Sequence, residues 1–264
     1  MKVMTFNLRV ENGNDGVNCF DNRKEKIVSV IRREAPDLIG FQEANDRMLD
    51  FISEQLPGYV FLGHGRDKDY CGEGAPIAYR RERFYLHSFR EEWLSPDPDA
   101  PGSRFQGIGQ SNCPRVLTGA QLLDRRAGKL FSFLNTHLDH HKGIVQTLEC
   151  VRILERIHAE GLPYVLTGDF NVTPDSEAIA LLLSDARLPK MTDATEKIPG
   201  SFHFFGQWKE KPVKIDYIFT DLPVDPEASY AVPDEDGCGY FYSDHYALCA
   251  FPGTENEITE KESD

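Results

Sequence analysis

Four strand-like segments follow one another between residues 75 and 138. They read APIAYR, RFYLHSF, RVLTGAQLLD and KLFSFLNTHL, and glycine, proline and clusters of charged residues separate them. Apolar and alternating runs between such breaks are typical of β-strands. β-Structure therefore dominates the middle of this chain, and a fold proposed for it must contain a sheet of adjacent strands.

Helical patterns lie before and after these strands. The chain opens with the strand KVMTFNL, a helix with Ile27, Val30 and Ile31 on one face, and the strand DLIGFQE. Further helices are predicted around Met48–Leu56, at about residues 143–160 and after Pro174, and further strands at PYVLTGDF, VKIDYIFTD and HYALCAF. Adjacent strands interrupted by single helices favour two packed sheets with helices outside, an α/β sandwich, over one doubly wound parallel sheet.

Length and composition predict one globular domain. The chain has 264 residues, 40% hydrophobic and 27% charged, and no stretch is rich enough in proline, glycine or serine to be a linker. We assign the domain to residues 1–252 and interpret the acidic segment 253–264 as a flexible tail. No signal-peptide core and no membrane-spanning stretch is visible, which predicts a cytoplasmic protein whose cysteines are reduced.

The net charge of -14 restricts the partners of this protein. Binding through broad neutralisation of phosphates needs a basic face, and no clustered stripe of lysine and arginine is present. An enzyme that holds divalent cations in an acidic cleft can still process a phosphate ester, because the metal reverses the sign of the local field. The charge therefore disfavours a large duplex without excluding phosphoester chemistry.

Polar residues recur at the ends of the predicted strands. They are Asn7, Glu43, the run NTHLDH at 135–140, Asp169 with Asn171, and the run SDH at 243–245. Strand ends of stacked sheets gather at one rim, where such groups can line a cleft. In GDFN, strand alternation directs Asp169 and Asn171 to one side and the aromatic Phe170 to the other, toward the core.

The motifs TFN at 5–7, FQE at 41–43, NTHLDH, GDFN, IDYIF and SDH occur in this order. This order resembles the endonuclease/exonuclease/phosphatase family, the deoxyribonuclease I-like metal-dependent phosphoesterases, from Thr5 to His245. The resemblance implies a four-layered α/β/β/α sandwich with two mostly antiparallel sheets. It also implies hydrolysis of a phosphoester by in-line attack of water with Mg²⁺, for which Mn²⁺ can substitute.

The resemblance assigns roles to the matched residues. It makes Glu43 the principal metal ligand, with Asn7 and Asp244 beside it, in accord with the preference of Mg²⁺ for oxygen ligands. An ionised Asp169 can orient the attacking water, and Asn171 can donate to a phosphate oxygen.

Two imidazoles complete the matched set. His137 is the imidazole expected to bind or protonate the phosphoryl group, and Glu73 is the candidate that holds its tautomer. Asp216 and His245 form a second dyad, in which His245 acts as a general base or as a charge-stabilising cation. Whether His245 or Asp169 takes the proton of the water stays open at this point.

Three further residues are candidates for substrate contacts. Asn112 and Arg115 precede a strand and can reach phosphate oxygens, although an exposed arginine is more often only a solvated charge. His203, in SFHFFG, is expected to line the pocket. His140 and His141 match no motif and are interpreted as exposed loop residues.

Two alternatives come from other classes of protein. A non-catalytic phosphoester-binding module would keep the fold and lose part of the catalytic set. A zinc hydrolase of the metallo-β-lactamase type is superficially similar at THLDHH, but Asp139 stands where its second histidine should be. For an enzyme, the acidic composition favours a small phosphodiester, a phosphomonoester or a short single strand over a duplex, and we expect a monomer without a membrane span.

Overall fold

Twelve strands in the described part of the chain form two sheets of six strands each. The computed structural model describes residues 1–141, 143–187, 189–234 and 240–253, so the predicted acidic tail lies outside the described residues from position 254 onward. In chain order the strands are β1 (Val3–Asn7), β2 (Leu38–Gln42), β3 (Tyr59–Leu62), β4 (Ile77–Arg80), β5 (Phe84–Trp93), β6 (Val116–Asp124), β7 (Lys129–His137), β8 (Tyr164–Asp169), β9 (Thr192–Asp193), β10 (Asp216–Thr220), β11 (Tyr230–Ala231) and β12 (Leu248–Ala250).

The two sheets have the same central arrangement. The first has the strand order β11-β12-β1-β2-β4-β3 and the second the order β5-β6-β7-β8-β10-β9. In each sheet one central pair is parallel, β1 with β2 and β7 with β8, and the other pairs are antiparallel. The prediction of two mostly antiparallel sheets is therefore confirmed.

Within the described residues, four α-helices cover the outer faces of the sheets. They are α1 (Phe20–Glu34), α2 (Asp46–Gln55), α3 (Ile144–Glu160) and α4 (Glu177–Ser184), and none in the described ranges is long and apolar enough to cross a membrane. The side chains of Asn45 and Ser176 cap α2 and α4 by accepting hydrogen bonds from backbone N–H groups. Helices α1 and α3 are the crossovers that connect the two parallel pairs, as parallel pairing requires.

Three of the four hydrophobic clusters among the described residues define the layers. One lies between the first sheet and helices α1 and α2, and a second lies between the other sheet and helices α3 and α4. The third lies between the sheets and includes Val3, Leu38, Phe133 and Ile218. This order of layers is the α/β/β/α sandwich that the sequence predicts.

A buried polar cluster joins the two sheets within the core that lies between them. The Asn135 amide nitrogen donates to the carbonyl oxygens of Phe41 at 2.6 Å and Ala75 at 2.9 Å. The Asn135 amide oxygen accepts from Gln42 Nε2 at 2.7 Å and Thr167 Oγ1 at 2.9 Å. A buried amide must be hydrogen-bonded to avoid a large desolvation cost, so these contacts fix how the sheets lie against each other.

We predict that Gly40→Ala lowers the free energy of unfolding by about 1–3 kcal/mol, the usual cost of overpacking a core. A Cβ atom at Gly40 would lie 2.0 Å from Thr167 Oγ1 and 2.4 Å from Asn135 Oδ1, inside the polar cluster. Urea unfolding measures the effect. Gly58→Ala is the control, because a Cβ atom there meets nothing within 4 Å. Equal stability of the two variants would contradict the prediction.

Candidate active site

The carboxyl ends of both parallel strand pairs meet at one rim of the sandwich. Asn7 and His137 end β1 and β7, Asp169 ends β8, and Glu43 directly follows β2. The strand register places Asn7 near the end of β2, and it pairs Asp169 both with His137 and with Asp216 of β10. Residues far apart in the sequence therefore converge, as the strand-end pattern predicts.

The Asn7 amide links two carboxylates across the sheets. Its Nδ2 atom donates to Glu43 Oε1 at 3.1 Å and to Asp169 Oδ2 at 2.9 Å, and its Oδ1 accepts from the Arg9 N–H. The second oxygen of Glu43 accepts from the Val10 N–H at 2.9 Å. Glu43 adopts a left-handed backbone with φ of 58°, a strained conformation that clusters at functional sites.

Asp169 lies at the centre of the cluster. Its side chain is 2% exposed, and its Oδ1 accepts from the Asn171 N–H at 2.9 Å. Phe170, between these two residues, is fully buried against helices α3 and α4, which confirms the facing predicted for GDFN. Burial and the nearby Asp216 carboxylate raise the pKa of Asp169 above its ordinary value.

Asp216 and His245 form the predicted dyad. His245 Nδ1 lies 2.7 Å from Asp216 Oδ2, and His245 Nε2 points toward Asp169 Oδ2 at 3.8 Å. Burial opposes the charged imidazole, but the Asp216 carboxylate outweighs burial and raises the pKa of His245. The His245 imidazole is therefore held as a cation beside Asp169. The ring of Phe202 packs on it with the centroids 4.9 Å apart.

His137 lies on the other side of Asp169. Its Nε2 is 3.0 Å from Asn171 Nδ2 and 3.6 Å from Asp169 Oδ2, whereas its buried Nδ1 has no hydrogen-bond partner among the described residues. Burial, followed by the charges of Arg115 and Arg66, lowers the pKa of His137 well below its ordinary value. A neutral His137 can exchange hydrogen bonds with a phosphoryl group but brings no positive charge to it.

The expected support of His137 by Glu73 is corrected by the structure. The Glu73 carboxylate pairs with the Arg66 guanidinium at 2.9 Å, and no hydrogen bond joins Glu73 to His137 within the described ranges. Both partners lie in the loop 64–74, where Arg66 N–H donates to the Glu73 carbonyl oxygen. Local pairing within this loop therefore replaces the long-range contact.

Arg115 is buried rather than exposed. Its side chain is 2% exposed, one terminal nitrogen lies 3.0 Å from His140 Nδ1, and its Nε lies 3.6 Å from Asp139 Oδ2. The Nε and Nη1 atoms have no hydrogen-bond partner in the described part of the chain. His140 and His141 are exposed residues, as predicted, although His140 also contacts Arg115.

Three remaining candidates occupy different positions. Asp244 is buried near Glu43 and Arg9, with its Oδ2 3.8 Å from Arg9 Nε. Asn112 is exposed, and its Oδ1 is 3.4 Å from Arg104. The expectation that His203 lines the pocket is corrected, because His203 is fully buried and its Nδ1 accepts from the Gly206 N–H at 3.0 Å. Burial lowers its pKa to about 4.

The donor atoms near Glu43 fit a hard divalent cation. One ligand atom each from Glu43, His137 and Asp169 lie within 4.8 Å of one another. Two of the three are carboxylates, the ligands that Mg²⁺ and Mn²⁺ prefer. Asp169, Asp216 and His245 are equally close, but the hydrogen bond between Asp216 and His245 already engages both groups. We therefore place the candidate metal site at Glu43, with the Asp169 carboxylate beside it.

Sequence reasoning overlooked three residues that surround this site. They are Arg66, Phe202 and Glu149. Arg66 and Phe202 lie in the loops 64–74 and 200–212, and an arginine or a phenylalanine in a loop belongs to no recognisable motif. Glu149 lies on the buried, mainly apolar face of helix α3. The one sequence signal that could have indicated it is a carboxylate at a position where the helical pattern calls for an apolar residue.

An α/β/β/α sandwich with this set of acids, amides and imidazoles at its rim has the architecture of the deoxyribonuclease I-like hydrolases. Residues 4–245 match the endonuclease/exonuclease/phosphatase family. The chain belongs to this family, whose members are hydrolytic phosphoesterases.

Similar proteins include solved bacterial structures and a viral protein. The endonuclease/exonuclease/phosphatase from Bacteroides vulgatus is 29% identical with a TM-score of 0.88, over 96% of this chain and 98% of that chain. The mannosyl-6-phosphatase of Bacteroides thetaiotaomicron is 27% identical with a TM-score of 0.82, over 95% and 98%. An uncharacterised protein of Acanthamoeba polyphaga mimivirus is 25% identical over 71% of this chain and 73% of its own length.

Glu149 of α3 contacts the chain two residues after His137 and has a raised pKa. The side chain is fully buried, its Oε2 accepts from the Asp139 N–H at 2.9 Å, and its Oε1 has no partner among the described residues. Burial raises its pKa from 4.5 to about 8. Between these two values the folded state binds a proton that the unfolded state has released, so the free energy of unfolding falls as the pH rises through this window.

We predict that Glu149→Gln removes this loss of stability. The amide oxygen can still accept from Asp139, and no carboxylate has to ionise in the core. The stability gained over the wild type should grow from pH 5 to pH 8 by about 1 kcal/mol or more, the equivalent of one pKa unit. Urea unfolding at several pH values measures it, with the exposed Glu155→Gln on the same helix as control. Stability differences independent of pH would contradict the prediction.

Proposed function

We propose that this protein is a divalent-metal-dependent phosphoesterase that hydrolyses its substrate by in-line attack of water. One observation carries the proposal. Asp169 shares the Asn7 amide with Glu43 and lies 3.6 Å from His137 Nε2 and 3.8 Å from His245 Nε2. A metal-binding carboxylate, a water-orienting carboxylate and two imidazoles thus converge at one rim, where they can act on the same phosphoryl group.

The metal would be held by Glu43, with Asn7 and Asp244 beside it. When bound there, Mg²⁺ or Mn²⁺ would polarise a phosphoryl oxygen and offset its charge. Asn7 holds the Glu43 and Asp169 carboxylates at a fixed separation by donating to both. Because burial in a low-dielectric site strengthens such interactions, this arrangement is suited to a charged substrate.

The protein side chains would divide the proton transfers. Asp169 accepts a proton from the attacking water as the new P–O bond forms, and the bond from phosphorus to the leaving oxygen breaks. His245, kept positively charged by Asp216, stabilises the leaving oxygen and donates a proton to it. Asn171 and the neutral His137 orient the phosphoryl oxygens by hydrogen bonds.

The substrate proposed from the sequence is a small or single-stranded phosphoester. The relative named a mannosyl-6-phosphatase supports a small phosphorylated substrate for this chain as well. A catalytic function is favoured over a binding module because Glu43, Asp169, Asn171, Asp216 and His245 are all present and converge at one rim around Asp169. The cytoplasmic location and the monomeric state stay predictions from the sequence.

We predict that Asp169→Asn lowers kcat/KM by at least about 100-fold, the lower end of the contribution of an acid–base group. The amide keeps the shape of the carboxylate but cannot accept the proton. Hydrolysis of p-nitrophenyl phosphate and bis-p-nitrophenyl phosphate with Mg²⁺ measures the change. Asp175→Asn is the matched control, since this carboxylate is exposed on the same segment. Activity retained by Asp169→Asn would overturn its role, and an inactive wild type would favour a binding module.

We predict that Glu43→Gln weakens Mn²⁺ binding by at least about 10-fold, since even loss of a group that only supports a metal ligand costs that much. Electron paramagnetic resonance of free Mn²⁺ measures the binding without reference to activity. Glu11→Gln is the control, because Glu11 lies on the neighbouring loop and pairs with Arg47. Unchanged Mn²⁺ binding in Glu43→Gln would contradict the assignment, and activity with zinc alone would favour the zinc-hydrolase alternative.

A further inference from the structure

The loop 64–74 is a rigid element on the His137 side of the site. A Cβ atom on Gly65 would lie 2.0 Å from the Cys71 carbonyl oxygen, and one on Gly74 would lie 2.1 Å from the His64 carbonyl oxygen. The two arms of the loop therefore approach too closely for any residue except glycine. The Trp93 indole N–H donates to the Arg66 carbonyl oxygen at 2.7 Å and fixes the loop to β5.

This loop presents Arg66 to the site. The Arg66 side chain is only 11% exposed, and its contact with Glu73 uses one terminal nitrogen. A guanidinium has five N–H donors, so the others can still bind an anion. The Gly74 N–H donates to the Ala44 carbonyl oxygen at 2.7 Å, so the loop lies directly beside Glu43, and β5 lies on the β7 side of β8 in the second sheet.

A second guanidinium, that of Arg115, comes from the neighbouring strand. Arg115 directly precedes β6, whose Leu117 pairs with Thr136 of β7, so its backbone lies beside the strand end that carries His137. Two of its nitrogen atoms, Nε and Nη1, are buried without a hydrogen-bond partner in the described part of the chain. Buried donors without acceptors are costly, and an anionic ligand would satisfy them.

We infer that Arg66 and Arg115 form an oxyanion-binding wall on the His137 side, and that this wall makes the protein selective for phosphomonoesters. The inference rests on the proposed function and specifies its substrate class. A monoester phosphate has three non-bridging oxygens and up to two negative charges, whereas a diester has two such oxygens and one charge. Guanidinium groups are well suited to planar, charge-assisted hydrogen bonds with phosphate oxygens.

A diester meets this wall with an organic substituent in place of the third oxygen. The buried Arg115 donors would then stay without an acceptor, and a site built to hydrogen-bond a group strongly rejects an analogue that lacks it. The wall therefore distinguishes monoesters from diesters by the charge of the phosphate and by the bulk of the second organic substituent.

The test compares two esters with the same leaving group, p-nitrophenyl phosphate and bis-p-nitrophenyl phosphate, on the metal-loaded protein. The wild type should prefer the monoester in kcat/KM. Arg66→Gln should lower kcat/KM for the monoester by about 10- to 100-fold, the equivalent of a hydrogen bond to a charged group. The diester should change less than about threefold, and Arg66→Lys should restore part of the monoester activity.

Inorganic phosphate provides a second measurement. Its binding to the metal-loaded protein, followed by isothermal titration calorimetry, should weaken in Arg66→Gln by the same factor as monoester kcat/KM. Arg81→Gln is the matched control, because Arg81 is an exposed arginine on the turn after β4. Thermal unfolding of each variant separates lost binding from lost folding.

The possible failures are distinguishable. If the wild type prefers the diester, or if Arg66→Gln lowers both activities equally or neither, the inference is wrong while the proposed function stands. If the wild type hydrolyses neither ester, the proposed function fails. Phosphate binding then still tests the wall, and equal affinity of the wild type and Arg66→Gln would overturn it.

Discussion

The hydrogen bonds of one buried side chain, Asn135, join the two sheets, and the geometry of the candidate site depends on them. The amide donates to the Phe41 carbonyl oxygen and accepts from Thr167 Oγ1, and it is inaccessible to solvent. Phe41 is two residues before Glu43, and Thr167 is two residues before Asp169. A change in the sheet packing would therefore change the distance between these two carboxylates, which the Asn7 amide spans at the rim.

The charges of the site are arranged in two regions around Asp169. On one side the Asp216–His245 dyad is a carboxylate-held cation, and on the other a neutral His137 lies near the guanidiniums of Arg66 and Arg115. The carboxylates in between are buried, so each depends on amide and backbone donors. Cationic side chains are therefore concentrated at this rim although the net charge of the chain is -14.

Much of the fold could be predicted because its signals are local. The spacing of Ile27, Val30 and Ile31 indicated α1, which ends where Ala35 adopts a left-handed backbone before Pro36. Alternation in IDYIF indicated that Tyr217 and Phe219 face away from Asp216, and both pack below α3 and α4. The short strand β3 escaped notice, since four residues with little alternation hardly differ from a loop.

The family, the order of the longer strands and helices, and the residue types at the strand ends could be read from the sequence, because periodicity and motifs are properties of neighbouring positions. Tertiary structure alone decided which side chains touch. It paired Glu73 with Arg66 instead of His137, enclosed His203 beneath its loop, and buried Arg115 with unused donors. Such contacts follow from the packing of sheets and loops that are distant in sequence, and no local pattern encodes those distances.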